Sequence, residues 1–245
     1  EIVIEELGMS PEEIRQIDRL QMVACGSAYH VCMSGKYVLE RLAGIPVDVD
    51  PASEFRYRDP IMTPDTLVIV VSQSGETADT LAALRESKKR GHKVLGIVNV
   101  VGSSIAREAD SVLYTLAGPE ISVATTKAYS TQLIAVYLLG ILFGKIRGRI
   151  CQEQYKEYVE ELQKLPAKIQ RILDEKERIQ WLANKYSHAK DVFFIGRGLD
   201  YAISMEGSLK LKEVSYIHSE AYAAGDLMHA TISLVENGTL LVGVA

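Results

Sequence analysis

Short strand-like runs return along this chain at residues 21–24, 46–49, 67–71, 94–98 and 112–116, with helix-compatible stretches such as 30–42 and 80–90 between them. Strands that alternate with helices call for a parallel sheet, because each crossover helix must return the chain to the same edge and then cover one face. The run VIVV at residues 68–71 has no polar alternation, as expected of a strand buried on both sides. The expected class is therefore α/β, a doubly wound parallel sheet in a flavodoxin-like, three-layer αβα arrangement.

The pattern changes once. From Cys151 to His188 the sequence is charged and heptad-like, and Pro166 is expected to divide it into two linking helices. At Asp191 the grammar of strand, glycine turn and helix returns in VFFIGRGLDYAISMEGSLKLKEVSYIHSEAYAAGDL. This copy parallels MVACGSAYHVCMSGKYVLERLAGIPVDVDPASEF near the start, although few residues are identical. The reading is a first domain over residues 1–150 with a helical lead-in, a helical linker over 151–190, and the start of a second domain over 191–245. The second copy runs out at TLLVGVA, a strand, so the chain is expected to stop inside that domain.

Composition narrows the function classes. At 245 residues, 47% hydrophobic and 24% charged, the chain can bury a substantial core in one large or two small domains. A net charge of −5 with no basic run gives no footprint for nucleic acid or an anionic membrane surface. The most apolar stretch, residues 133–143, is shorter than the ~20 residues a membrane span needs and reads as a buried or interfacial helix. The acidic opening EIVIEELGMSPEEIRQIDRL lacks the layout of a signal peptide. Cys25, Cys32 and Cys151 make neither an even set nor a CxxC pair, so no disulfide framework or metal site is expected, and a reducing cytoplasm is.

Several turns can carry chemistry. In SQSGET, Ser72, Gln73, Ser74 and Thr77 surround Gly75 between the end of a strand and the start of a helix, where open α/β sheets bind anions. The turn has no lysine and fits neither GxxxxGK[ST] nor GxGxxG, so a phosphate monoester suits it better than a nucleotide. The alternative is a helix-capping cluster, although a cap needs only one side-chain oxygen and several are offered. The turns at residues 25–28 and 123–127 also follow strands, and each could equally be a tight turn with a cap. Lys210 and Glu213 share a helix face at i,i+3, as a surface ion pair or a functional one. His229, in GDLMHATIS, follows small residues that exclude a long helix.

Taken together, ACGSAYH, IPVDVDPASEFRYR, SQSGETADTLAALR, EISVATTKAYSTQL and GRGLDYAISMEGSLKLKEVSYIHSEAYAAGDLMH resemble the isomerase half of the glutamine–fructose-6-phosphate aminotransferase family, which is built from sugar isomerase (SIS) domains. The resemblance implies two SIS domains joined by helices, with fructose 6-phosphate bound at the first. Its phosphate would lie on Ser72, Gln73, Ser74 and Thr77, and its sugar against Ser27, Ala28 and the loop around Val123. Glu213 would move a proton between C1 and C2 with Lys210 beside it. His229 would open the sugar ring from a neighbouring subunit, which implies a homodimer, as does the apolar helix. These residue types suit the chemistry, since a carboxylate can shuttle a proton and an imidazole titrates near neutrality. The product would be glucosamine 6-phosphate, with ammonia drawn from glutamine on an amidotransferase domain outside this sequence and no cofactor. A C-terminal tail with its lysine also lies outside it.

Departures from the family pattern are Ala28 for the second serine of CGTS, Thr125 for the serine of VASTK, and Gly225-Asp226-Leu227-Met228-His229-Ala230 for GELKHG. Two other readings stay in view, a non-catalytic SIS-domain sugar-phosphate sensor and an amino-sugar-phosphate deglycase. Lys210, Glu213 and His229 favour catalysis, because a sensor needs the phosphate turn but no proton-transfer set.

Overall fold

The computed structural model describes residues 2–4, 7–229 and 232–245, and the chain divides into two compact units, Glu1–Ile150 and Cys151–Ala245. The first unit opens with helix α1 (Pro11–Gln16), which starts on a capping box: Ser10 Oγ accepts from the Glu13 N–H at 3.2 Å, and Glu13 returns a carboxylate to the Ser10 N–H at 2.8 Å. Then follow β1 (Arg19–Ala24), α2 (Gly26–Ala43), β2 (Val47–Pro51), α3 (Ala52–Arg58), β3 (Thr66–Ser72), α4 (Ala78–Lys89), β4 (Lys93–Val98), α5 (Ser104–Glu108), β5 (Ser111–Tyr114) and α6 (Lys127–Ile146). All five strands are parallel, in the order β2-β1-β3-β4-β5.

Strand β3 explains the apolar run. Leu67, Ile69 and Val71 enter a core with α2 and α6, while Val68 and Val70 enter a second core with α3, α4 and α5, so successive side chains serve opposite faces. This is the expected three-layer doubly wound sheet. The strand-like run at 112–116 is shorter than expected, because β5 ends at Tyr114 and Leu116 turns into the left-handed region at φ +51°.

The apolar stretch at 133–143 is the middle of a longer helix. With 20 residues, α6 is long and apolar enough to cross a membrane by length and composition, yet Ala135, Val136, Leu139 and Phe143 are buried in the first core. Its approach to α2 is close. A Cβ on Gly35 would meet Val136 Cγ1 at 3.0 Å, and one on Gly144 would stand 2.5 Å from the Leu42 carbonyl oxygen.

In the second unit, α7 (Gln152–Asp174) and α8 (Lys176–Tyr186) precede β6 (Asp191–Gly196), α9 (Leu199–Ser215), β7 (His218–Ala223) and β8 (Leu240–Gly243). Pro166 does not divide the helical stretch: α7 runs through it, and the break falls at Glu175, with φ −85° and ψ 14°. Proline removes the donor that would meet the Leu162 carbonyl, but Leu162 is only half-buried between the exposed Glu161 and Gln163, so water can serve that carbonyl. Three parallel strands in the order β7-β6-β8 repeat the β2-β1-β3 order of the first sheet. Each copy follows its first strand with a glycine at positive φ, Gly26 at +57° and Gly198 at +55°.

Candidate functional site

The order of strand addition reverses between β1 and β3, since β1 leads outward to β2 and β3 leads the other way to β4. Such switch points open a crevice at the carboxyl ends of the strands. Ala24 pairs with Val71 across it, so the turn that starts α2 (Cys25, Gly26, Ser27, Ala28) lies beside the one that starts α4 (Ser72 to Thr77). Thr80 Oγ1 donates to Cys25 Sγ at 3.9 Å between the two helices.

The serine-rich turn is held from within. Ser72 is 3% exposed, and its Oγ accepts from the Gly75 N–H at 3.0 Å and lies 3.0 Å from Thr77 Oγ1. Ser74 Oγ accepts from the Glu76 N–H at 3.1 Å. Neighbouring segments hold it from outside, with Gln73 and Gly75 carbonyls accepting from the Asn99 and Ile105 N–H groups at 3.1 and 3.0 Å. Glu76 accepts from the Ser104 N–H at 2.7 Å, and this bond keeps its carboxyl below the usual range. Gly75 sits at φ +67°, and a Cβ there would stand 2.0 Å from Ser103 Oγ, so only glycine fits.

Thr77 is the N-cap residue of α4 but makes no capping bond with its side chain, because its hydroxyl faces Ser72. The capping alternative therefore fails at this helix, and the first-turn amides of α4 have no side-chain acceptor from the cap residue. Cys25 likewise gives α2 no side-chain cap. The half-buried Gln73, Ser74 and Thr77 thus gather neutral polar side chains at a helix N-terminus, an arrangement suited to an anion.

Val123 lies on the loop between β5 and α6, at the same carboxyl edge of the sheet, and is 92% exposed. Beside it, Glu120 accepts from Thr125 Oγ1 at 3.0 Å and from the Ala128 N–H at 3.4 Å at the head of α6. A cavity of about 240 Å³ opens at the opposite edge of this sheet, lined in part by Met9, Gln16, Asp65 and Lys93, and contains none of these residues.

In the second unit, Lys210 stands on α9 between two carboxylates. It forms a close ion pair with Glu213 and reaches Glu206 Oε1 at 3.6 Å. The side chains of Glu206, Lys210 and Glu213 are 7%, 21% and 27% exposed, so this is a largely desolvated row and not a surface pair. Sequence reasoning missed Glu206, although its place four residues before Lys210 on the same helical face was legible. His229 is exposed at the end of a 3-10 turn (Asp226–Met228) after β7, with its N–H donating to the Asp226 carbonyl at 2.9 Å, and is not part of that row. The departure at Ala230 lies outside the described residues. Among the described residues no cluster of His, Cys, Asp and Glu could hold a metal ion.

The SIS domain family matches residues 13–142 and 185–245. Curated relatives named glutamine–fructose-6-phosphate aminotransferase (isomerizing) include one from Caldanaerobacter subterraneus, 58% identical over the whole chain, and one from Methanosarcina acetivorans, 50% identical over the whole chain. The chain spans 40% of the length of each. The solved C-terminal domain of glucosamine-fructose-6-phosphate aminotransferase from Francisella tularensis superposes with a TM-score of 0.93 at 40% identity, over 95% of this chain and 66% of that one. Glucosamine-6-phosphate deaminase from Thermotoga maritima superposes at 0.72 with 26% identity, over 98% of this chain and 72% of its own.

Proposed function

The chain belongs to the SIS domain family, and from that membership we propose that it is the isomerising, sugar-phosphate half of a glutamine–fructose-6-phosphate aminotransferase. The observation that carries the reading is the serine-rich turn beside an uncapped helix at the switch point of the first sheet. Its neutral donors suit the phosphate of fructose 6-phosphate, held by Gln73, Ser74, Thr77 and the framework hydroxyl of Ser72. Ser27, Ala28 and Val123 would meet the sugar.

Catalysis needs a proton moved from C1 to C2 and another from the C1 hydroxyl to nitrogen. Ammonia adds to the C2 ketone and water leaves, giving an imine. A base then takes a proton from C1 as the imine nitrogen gains one, giving an enolamine, and C2 is protonated as the C1 hydroxyl gives up its proton, so that C1 becomes the aldehyde and C2 keeps the nitrogen as an amine. Glu213 is the group for the C1-to-C2 transfer, fixed by Lys210, which Glu206 supports from the other side. His229 would open the sugar ring, contributed by the second subunit of a homodimer. Ammonia would come from glutamine on an amidotransferase domain, consistent with relatives much longer than this chain. A cytoplasmic setting agrees with three cysteines that are all free.

The likeness to a glucosamine-6-phosphate deaminase keeps the deglycase as a second reading. Thermal shift and turnover separate them. Fructose 6-phosphate at one hundred times Kd should stabilise the chain by ~2.7 kcal/mol, and unphosphorylated fructose should not. The full-length protein should make glucosamine 6-phosphate from fructose 6-phosphate and glutamine. Equal stabilisation by the free sugar would overturn the phosphate assignment, and ammonia release from glucosamine 6-phosphate without synthesis would favour the deglycase.

A further inference from the structure

Asn99 follows β4 directly and bonds both the serine-rich turn and the segment that leads from β5 toward the loop holding Val123. Its backbone N–H donates to the Gln73 carbonyl at 3.1 Å, inside the serine-rich turn. Its side chain makes three hydrogen bonds to the segment leaving β5: Nδ2 donates to the Gly118 carbonyl at 2.7 Å, and Oδ1 accepts from the Ala117 N–H at 2.7 Å and from Thr115 Oγ1 at 3.1 Å. Thr115 is also tied by its N–H to the Val98 carbonyl at 3.0 Å. Between these anchors Leu116 holds φ +51° with its side chain 77% exposed, so burial of that side chain does little to offset an unfavourable backbone conformation. Such a conformation persists where its surroundings over-determine it, and Asn99 supplies that constraint.

We infer that Asn99 is a positioning residue for the substrate: by holding residues 115–118 it fixes the base of the loop carrying Val123 relative to the phosphate-binding turn. The inference rests on the sugar-phosphate reading above. A phosphosugar that meets the turn with its phosphate and the loop with its sugar depends on the offset between the two. Inorganic phosphate meets the turn alone. Substitution by alanine leaves the backbone bond to Gln73 in place and releases only the loop, so the two ligands report on different parts.

The test uses the full-length enzyme, with affinities for fructose 6-phosphate and inorganic phosphate measured side by side. Asn99→Ala should weaken fructose 6-phosphate binding and raise its KM about tenfold. Its kcat at saturation should stay within about threefold and its phosphate affinity within about twofold. Adding Leu116→Gly removes the strain that Asn99 opposes and should recover part of the lost affinity. Thr115→Val breaks one of the three bonds, should give a smaller loss in the same direction, and carries the test if Asn99→Ala does not fold. Unchanged fructose 6-phosphate affinity, or phosphate affinity falling in step with it, would overturn the inference. A wild-type enzyme that binds neither ligand would overturn the underlying reading and this inference with it.

Discussion

Replacing Ser72 by alanine removes one hydroxyl that holds the serine-rich turn at two points. The Gly75 N–H loses its acceptor at 3.0 Å, and Thr77 Oγ1 loses its partner at 3.0 Å, in a residue 3% exposed. A buried donor left without an acceptor costs ~1–3 kcal/mol and the lost hydroxyl pair ~0.5–1.5 kcal/mol more, so a total of about 1.5–4.5 kcal/mol is expected. At roughly 2–4 °C per kcal/mol for a unit of this size, its melting transition should fall by about 3–18 °C. Ser74→Ala is the contrast. Ser74 accepts from the Glu76 N–H, an exposed group that water can serve, so its loss should cost less than ~0.5 kcal/mol. Calorimetry with fructose 6-phosphate titration measures both quantities. Ser72→Ala should lose stability and affinity together, and Ser74→Ala affinity alone. If Ser72→Ala melts with the wild type, the hydroxyl does not hold the turn and the reasoning is wrong.

Glu213→Gln keeps the length and shape of the side chain but removes the base, so glucosamine 6-phosphate output in the full-length enzyme should fall ~10²–10⁴-fold while fructose 6-phosphate affinity survives; near wild-type output would refute its role. Glu13 bonds Lys93 and the capping residue Ser10, which lowers its carboxyl pKa to about 2 from 4.5. Its folded pKa lies below the unfolded one, so the stability it contributes is present above pH 4.5 and is lost as pH falls toward 2. Acid unfolding of Glu13→Gln should therefore show a shallower pH dependence in that window, and an unchanged profile would count against the bond.

Where the sequence was informative, one local pattern carried the signal. Unbroken β-branched runs ending in Ser and Gly marked both the buried strand β3 and the turn beyond it. That this turn lies at the switch point came only with the strand order of the sheet. Less local features were missed. Asn99 bonds residues sixteen to nineteen positions away, so nothing beside it in sequence marks it. Leu116 reads as strand because β-propensity takes no account of a side-chain anchor elsewhere. Glu206 looks like any mid-helix acid until burial is known. At Pro166 the proline rule was too strict for an exposed helix, where solvent takes over the lost bond.

The glycine contacts between α2 and α6 bear on how the first site can move. Gly144 packs against the Leu42 carbonyl and Gly35 against the Val136 side chain, so the two helices pack closely with no room for added side chains between them. One begins at the turn holding Ser27, the other just after the loop holding Val123. They therefore travel as one body. Any closing of that loop over a bound sugar has to hinge in residues 119–126, upstream of Lys127, with Ser27 remaining as the fixed jaw.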